Sequence, residues 1–332
     1  MRILILGGTR FVGRHIAGAA LAAGHEVTLF TRGITAPDVW PEAEHLHGDR
    51  DGGLGALEGR SWHRVIDVCG YFPRIVEQSA RLLSRAAEHY TFISTISVYR
   101  DFSEPRRHEG SPLGTLPDET VEEITGETYG PLKVLCEKAA EDAFGPERAL
   151  IVRPGFVVGP HDDTDRFTYW VMRTAEGGEM LAPGPPERPM QFIDARDLAS
   201  WVVRIAESGG TGAYNATGAP GSVTMGEVLE TAAQVTGGDA RIVWVDDAFL
   251  EERSLHDDLP LQGALGDASL AHLHEVDTST AESAGLRHRP LTETVRDTWE
   301  WAKLSRPGGL AAGLNRDAER AALAAWRARS AS

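Results

Sequence analysis

The stretch Leu6-Gly7-Gly8-Thr9-Arg10-Phe11-Val12-Gly13 decides the fold. Before it lies a short apolar run, Arg2–Leu6. After it comes Phe11–Ala23, in which Val12, Ile16, Ala19 and Ala20 share one helical face and Gly24 supplies the stop. A buried strand, a glycine turn and a helix start in that order predict unbonded amides at the positive end of a helix dipole, facing an anion. Gly7 permits the tight turn, and Gly13 lets helix and strand approach closely. Read this way, Gly7, Thr9, Arg10, Phe11, Val12 and Gly13 cradle a pyrophosphate.

Outward from that loop the same unit repeats about every 30 residues. Glu26–Phe30, Arg64–Val68, Tyr90–Ile96 and Ala149–Val152 read as strands, Arg74–Ala87 and Tyr129–Phe144 as helices. Beyond Pro154 the rhythm breaks into loops rich in Pro, Gly and Asp at 160–165 and 182–189. Phe192–Glu207 starts extended and turns helical, and Ala213–Ala216 reads as a last strand. Thr224–Thr236, Leu291–Lys303 and Asp317–Arg329 read as helices, the last capped by Asn315, and Arg241–Val245 as a strand. The expected class is α/β: a Rossmann-like doubly wound parallel sheet with a smaller irregular α/β substrate-binding portion. Residues 1–155 form the expected dinucleotide domain, with 190–217 returning to it. Residues 156–189 and 218–305 form the substrate portion, and 306–332 a helical tail.

Composition narrows the function. The 332 residues are 42% hydrophobic and 25% charged, as in ordinary globular proteins. A net charge of −16 and the lack of a basic cluster count against binding a nucleic-acid backbone. No run approaches the ~18 apolar residues of a membrane span, and Ile3–Leu6 is too short for a secretory leader. Two cysteines, Cys69 and Cys136, do not suggest an oxidising compartment, so a cytoplasmic protein is expected. Partners reduce to a small-molecule substrate and at most a second copy in a homodimer. His161, Asp162, Asp163 and Asp165 read as an acidic loop; no metal is expected.

The tip of the second strand, Thr31-Arg32-Gly33, has no carboxylate for an adenosine ribose. Arg32, with Arg10 in reach, suits a 2′-phosphate, so the expected cofactor is NADP(H), with NAD(H) as the alternative. The chain writes 30 of its 33 cations as Arg, which makes its three lysines informative. Lys133 stands four residues after Tyr129 at a helix start, on the same face. A free phenol, with a pKa near ~10, is a poor acid or base at neutral pH. An ammonium and an oxidised nicotinamide nearby would both favour phenolate. The stretch Ser94-Thr95-Ile96-Ser97-Val98-Tyr99, at a strand's carboxyl end, holds the candidate to hydrogen-bond the reacting oxygen.

Together these features resemble the extended short-chain dehydrogenase/reductase superfamily, in its NAD(P)-dependent epimerase/dehydratase branch, from Met1 to at least Ala216. Arg153-Pro154-Gly155 through Gly159-Pro160 and Phe192-Ile193-Asp194-Ala195-Arg196-Asp197 are similar to family segments. The resemblance implies Tyr129 as acid/base, Lys133 as its partner and Thr95, or else Ser94, as the third member. It further implies Asp49 at the adenine, and Cys69, Gly70 and Pro154 along the cofactor; Cys69 itself reads as a small hydrophobe rather than a nucleophile. Arg10 replaces a family glycine, Thr31 the ribose acid, and Phe156 an asparagine of sugar-nucleotide epimerases. Ile96-Ser97 stand where 4,6-dehydratases carry Asp-Glu. Tyr71, Phe156 and Arg188 are the substrate candidates, Phe72 and Trp170 belong to pocket or core, and Ser103–Thr128 is expected to form a flap. The leading expectation is an NADP(H)-dependent oxidoreductase acting on a secondary alcohol or ketone. An epimerase with a transient keto intermediate is the alternative, and a non-catalytic cofactor-binding or RNA-binding relative the third.

Overall fold

The computed structural model describes residues 1–262 and 267–330. Its first half alternates β1 (Arg2–Leu6), α1 (Phe11–Ala22), β2 (Glu26–Thr31), β3 (Glu44–His47), β4 (Trp62–Asp67), α2 (Pro73–Leu83), β5 (Ala87–Ile93), α3 (Tyr129–Phe144) and β6 (Ala149–Pro154). There follow β7 (Phe156–Val158), α4 (Arg166–Ala175), β8 (Glu179–Pro183), β9 (Pro189–Met190), β10 (Phe192–Asp194), α5 (Ala195–Glu207) and β11 (Gly212–Ala216). The remainder holds β12 (Val223–Thr224), α6 (Met225–Thr236), β13 (Arg241–Val245), α7 (Asp247–Glu252), α8 (Ser279–Ser283), α9 (Leu291–Ser305) and α10 (Arg316–Ser330).

Seven strands form one parallel sheet in the order β11-β6-β5-β4-β1-β2-β3. Helices cover both faces, which is why the inner strands are written almost wholly in apolar residues. Ile3, Ile5, Leu29 and Ile66 pack with Ile16, Ala20, Leu198 and Trp201 on one side. Leu4, Leu6, Val65 and Phe92 pack with Val76, Leu83, Cys136 and Ala140 on the other. From β1 the chain runs outward in both directions, so the carboxyl ends of β1 and β4 flank the crevice where such sheets take ligands.

The sequence reading missed β3, a four-residue edge strand whose side chains are only partly covered and carry no alternating apolar signal. It also ran two elements too far. The helix ends at Leu83, and Ala87 already opens β5. β5 ends at Ile93, where Ser94 and Thr95 lead into a short 3-10 turn, Ile96–Val98.

The later segments build a second core from residues distant in sequence. β8 and β13 pair in parallel, and Phe167, Trp170, Met180, Met225, Leu229 and Phe249 are buried together beside them. Trp170 lies in this core, its indole N–H donating to the Pro260 carbonyl at 2.9 Å, and does not line the cleft. Asn315 caps α10 by accepting from the amides of Asp317 and Ala318. No described helix is long and apolar enough to cross a membrane.

Candidate active site

The phosphate turn has the geometry its glycines allow. Gly7 has φ +105°, and a Cβ there would lie 2.5 Å from Val68 Cγ2. At Gly13 a Cβ would meet the Gly8 amide nitrogen at 2.8 Å. α1 starts beside Arg10, which is extended and makes no side-chain cap, so the first amides of the helix stay available to an anion. These features fit a pyrophosphate: a cradle that any side chain would fill, with unbonded donors around it.

The turn opens into a cleft of about 1500 Å3, more than the ~300–1,000 Å3 of a typical small-ligand pocket. Gly7, Thr9, Arg10, Phe11, Val12, Gly13, Arg32, Asp49, Cys69, Pro154, Tyr71 and Phe156 all line it, as do Ser94, Thr95, Tyr129 and Lys133. Gly70 contributes through its carbonyl, which accepts from Lys133 Nζ at 2.8 Å. At the β2 end Arg32 is exposed, and no described carboxylate pairs with it. Arg10, by contrast, forms an ion pair with Asp163 across the mouth of the cleft.

Lys133 is buried, and its ammonium is held by two carbonyls, Gly70 and Ile93, each at 2.8 Å. It also lies 4.2 Å from the centre of the Phe92 ring. Desolvation lowers its pKa to about 8. Burial pushes the Tyr129 phenol above its ordinary value, while a hydrogen bond with Thr95 and the charge of Arg166 pull it back. In the cofactor-free protein the influences that favour phenolate therefore come from Thr95 and Arg166. Ser94 Oγ is buried at the cleft wall with no described partner.

Arg188 does not reach the cleft. Its guanidinium is occupied by Asp247 and the Gly184 carbonyl, so the expected substrate role gives way to a structural one joining β8, β9 and α7. The acidic loop is likewise committed to the fold: Asp162 bonds Thr164, Asp163 pairs with Arg10, and Asp165 pairs with Arg306 at 2.7 Å.

Two buried networks escaped the sequence reading. Under the cleft Arg50 makes a bidentate pair with Asp67, both bonds 2.7 Å, and donates to Ser79 Oγ, while Tyr90 Oη donates to Asp67. An acid closing the apolar strand Trp62–Asp67 was the available signal. The second network anchors segment 103–128. Arg153 pairs with buried Glu137 at 2.7 Å and donates to the Glu109 carbonyl, and Asn215 donates to the Arg107 carbonyl and accepts from Tyr99 Oη. From that anchor Gly114, Thr115, Ile124, Gly126 and Glu127 reach the cleft wall.

A parallel sheet with a glycine turn at its switch point, and a Tyr and Lys one helical turn apart in the same crevice, give the chain a Rossmann-like dinucleotide-binding architecture. Residues 70–217 match the pattern of the NAD dependent epimerase/dehydratase family. It is 32% identical over 231 residues to the chloroplast stem-loop binding protein of 41 kDa b of Arabidopsis thaliana, across 61% of this chain and 54% of that protein. An isoflavone reductase homolog of Zea mays is 24% identical across 62% and 64%. The chain thus spans about half to two thirds of the length of these curated relatives. The fold is shared with UDP-glucuronic acid 4-epimerase from Bacillus cereus in complex with NAD: TM-score 0.65, 16% identity, covering 91% of this chain and 99% of that one.

Proposed function

We propose that the chain is an NADP(H)-dependent oxidoreductase that interconverts a secondary alcohol and a ketone on a small molecule. The observation that carries this reading is that Tyr129 and Thr95 share one cleft with the Gly7–Gly13 turn and the buried Lys133. The pyrophosphate belongs on the α1 amides, the adenine beside Asp49 and the 2′-phosphate on Arg32. A bound nicotinamide supplies or accepts the hydride. Tyr129 exchanges the hydroxyl proton, and Thr95 orients the substrate oxygen. Lys133 has two of its three N–H donors fixed on carbonyls, which leaves one for a ribose hydroxyl.

Replacing Tyr129 by Phe keeps the ring and removes the acid. Turnover is expected to fall about 10²–10⁴-fold, with the Kd for NADPH within a few-fold of the parent. A variant turning over at the parental rate would end the assignment. For the cofactor, Arg32→Ala should weaken NADPH and leave NADH nearly unchanged.

The epimerase reading is favoured by the matched family and by the fold shared with a UDP-glucuronic acid 4-epimerase. It differs in stoichiometry: cofactor that copurifies and recycles without net consumption supports epimerisation, and stoichiometric NADPH loss supports reduction. The stem-loop binding relative raises an RNA reading, against which stands the net charge of −16.

A further inference from the structure

We propose that Arg166 anchors an anionic group of the substrate, so that the substrate is a hydroxy or oxo compound carrying a carboxylate or phosphate close to the reacting carbon. This rests on the reading of Tyr129 as the proton-exchanging group.

Arg166 opens α4 and faces the cleft beside Phe156, its guanidinium carbon 5.3 Å from the ring centre. Behind Phe156 lies His274, stacked on it at 5.5 Å and 26°. His274 accepts the Gln191 amide at Nδ1, and burial holds it neutral at physiological pH, so that layer adds no competing charge. The guanidinium is also aimed from its stem. Arg166 Nε donates to Thr164 Oγ1 at 3.0 Å, and Thr164 Oγ1 in turn donates to buried Asp162 Oδ1 at 2.7 Å. This relay fixes the plane of the fork and leaves its two terminal nitrogens without a described partner.

A partly buried guanidinium normally brings its own carboxylate, because desolvation without pairing is costly. Here no described acid forms an ion pair with it; the charge of buried Asp162 is felt at Arg166, but the two meet only through the Thr164 hydroxyl. Asp163 pairs with Arg10, Asp101 with Arg107, and Asp162 makes no ion pair with Arg166. The positive charge is nonetheless close enough to act on the Tyr129 phenol. An oriented, unpaired fork beside the proton-exchanging group matches the bidentate geometry of a carboxylate or phosphate. Arg166 therefore takes the substrate role that the sequence suggested for Arg188.

The test uses the full chain saturated with NADPH or NADP+, and two matched probe pairs. One pair is acetoacetate against methyl acetoacetate; the other is dihydroxyacetone phosphate against dihydroxyacetone. Calorimetric binding and turnover at the nicotinamide absorbance are both read as the ratio of charged to uncharged partner. The parent should favour at least one anion over its uncharged partner by about ten- to a hundredfold, and the favoured pair names carboxylate or phosphate. R166Q should erase the ratio, R166K should restore part of it, and retained NADPH affinity certifies the fold of each. Loss of the Arg166 charge should also move the turnover pH profile upward. A parent without preference for either anion, or an R166Q variant that keeps the parental ratio, overturns the proposal. Tyr129→Phe separates the two readings: it should lower turnover by the same roughly 10²–10⁴-fold while leaving the binding ratio intact. Undiminished turnover there sinks the oxidoreductase role without touching the anion site.

Discussion

A methyl group at Gly13 would lie 2.8 Å from Val68 Cγ2 and 2.8 Å from the Gly8 amide nitrogen. Val68 can turn its side chain away, but Gly8 cannot move without deforming the phosphate turn. Gly13→Ala is therefore expected to weaken NADPH binding at least about tenfold, with a folding cost of about 1–3 kcal/mol from overpacking. Fluorescence titration and urea denaturation measure the two; affinity within twofold of the parent would remove this turn from the cofactor seat. At this scale the sequence pointed to residues that line the cleft wherever one residue type has one physical use. Glycines between strand and helix, and a rare lysine one turn after a tyrosine, are such cases. It could not show that Lys133 spends its donors on Gly70 and Ile93, nor that Arg166 rather than Arg188 stays unpaired. Those facts depend on which distant backbone or acid arrives nearby.

Segment 103–128 has neither helical nor strand periodicity, and the structure explains how it is nonetheless held. Its ties run through Arg153, which pairs with Glu137 on α3 and reaches the Glu109 carbonyl from β6. Both residues of that pair are 4% exposed. Removing one partner strands the other charge in the interior, which costs about 3–5 kcal/mol. Glu137→Ala should lose that much in urea denaturation, and the segment should become the first site of limited proteolysis. A loss below about 1 kcal/mol would mean that the pair does not hold the segment. The same element scale explains the misreadings. β3 is short, polar and at a sheet edge, and the end of β5 is set by its pairing with β6, which local pattern does not encode.

The two halves of the molecule differ in how their cores are assembled. In the first, each strand is followed by its own covering helix, so periodicity reveals the architecture. In the second, β8 pairs with β13 some sixty residues later, and the segment around His274 is stitched to Gln191: Nδ1 accepts the Gln191 amide at 3.0 Å, and Val276 N–H donates to Gln191 Oε1 at 2.9 Å. The same segment presents Ser269, Leu270 and Leu273 to the cleft, so its stability bears on the site. Burial lowers the His274 pKa to about 4, whereas the unfolded chain protonates near ~6.5. Below 6.5 the unfolded state binds more protons than the native state, so stability falls as pH drops from 6.5 and levels off below 4. Between pH 7.5 and pH 5 this one residue should account for about 2 kcal/mol of lost stability. Protonation would place a hydrogen on Nδ1 where the Gln191 amide already donates, so the loss should be local as well as global. Denaturation curves at the two pH values for the parent and a His274→Asn variant isolate the effect from the other histidines. The variant should be less stable at pH 7.5 yet show the smaller decline, and an equal decline in both would show that His274 is not the group that couples acid to unfolding.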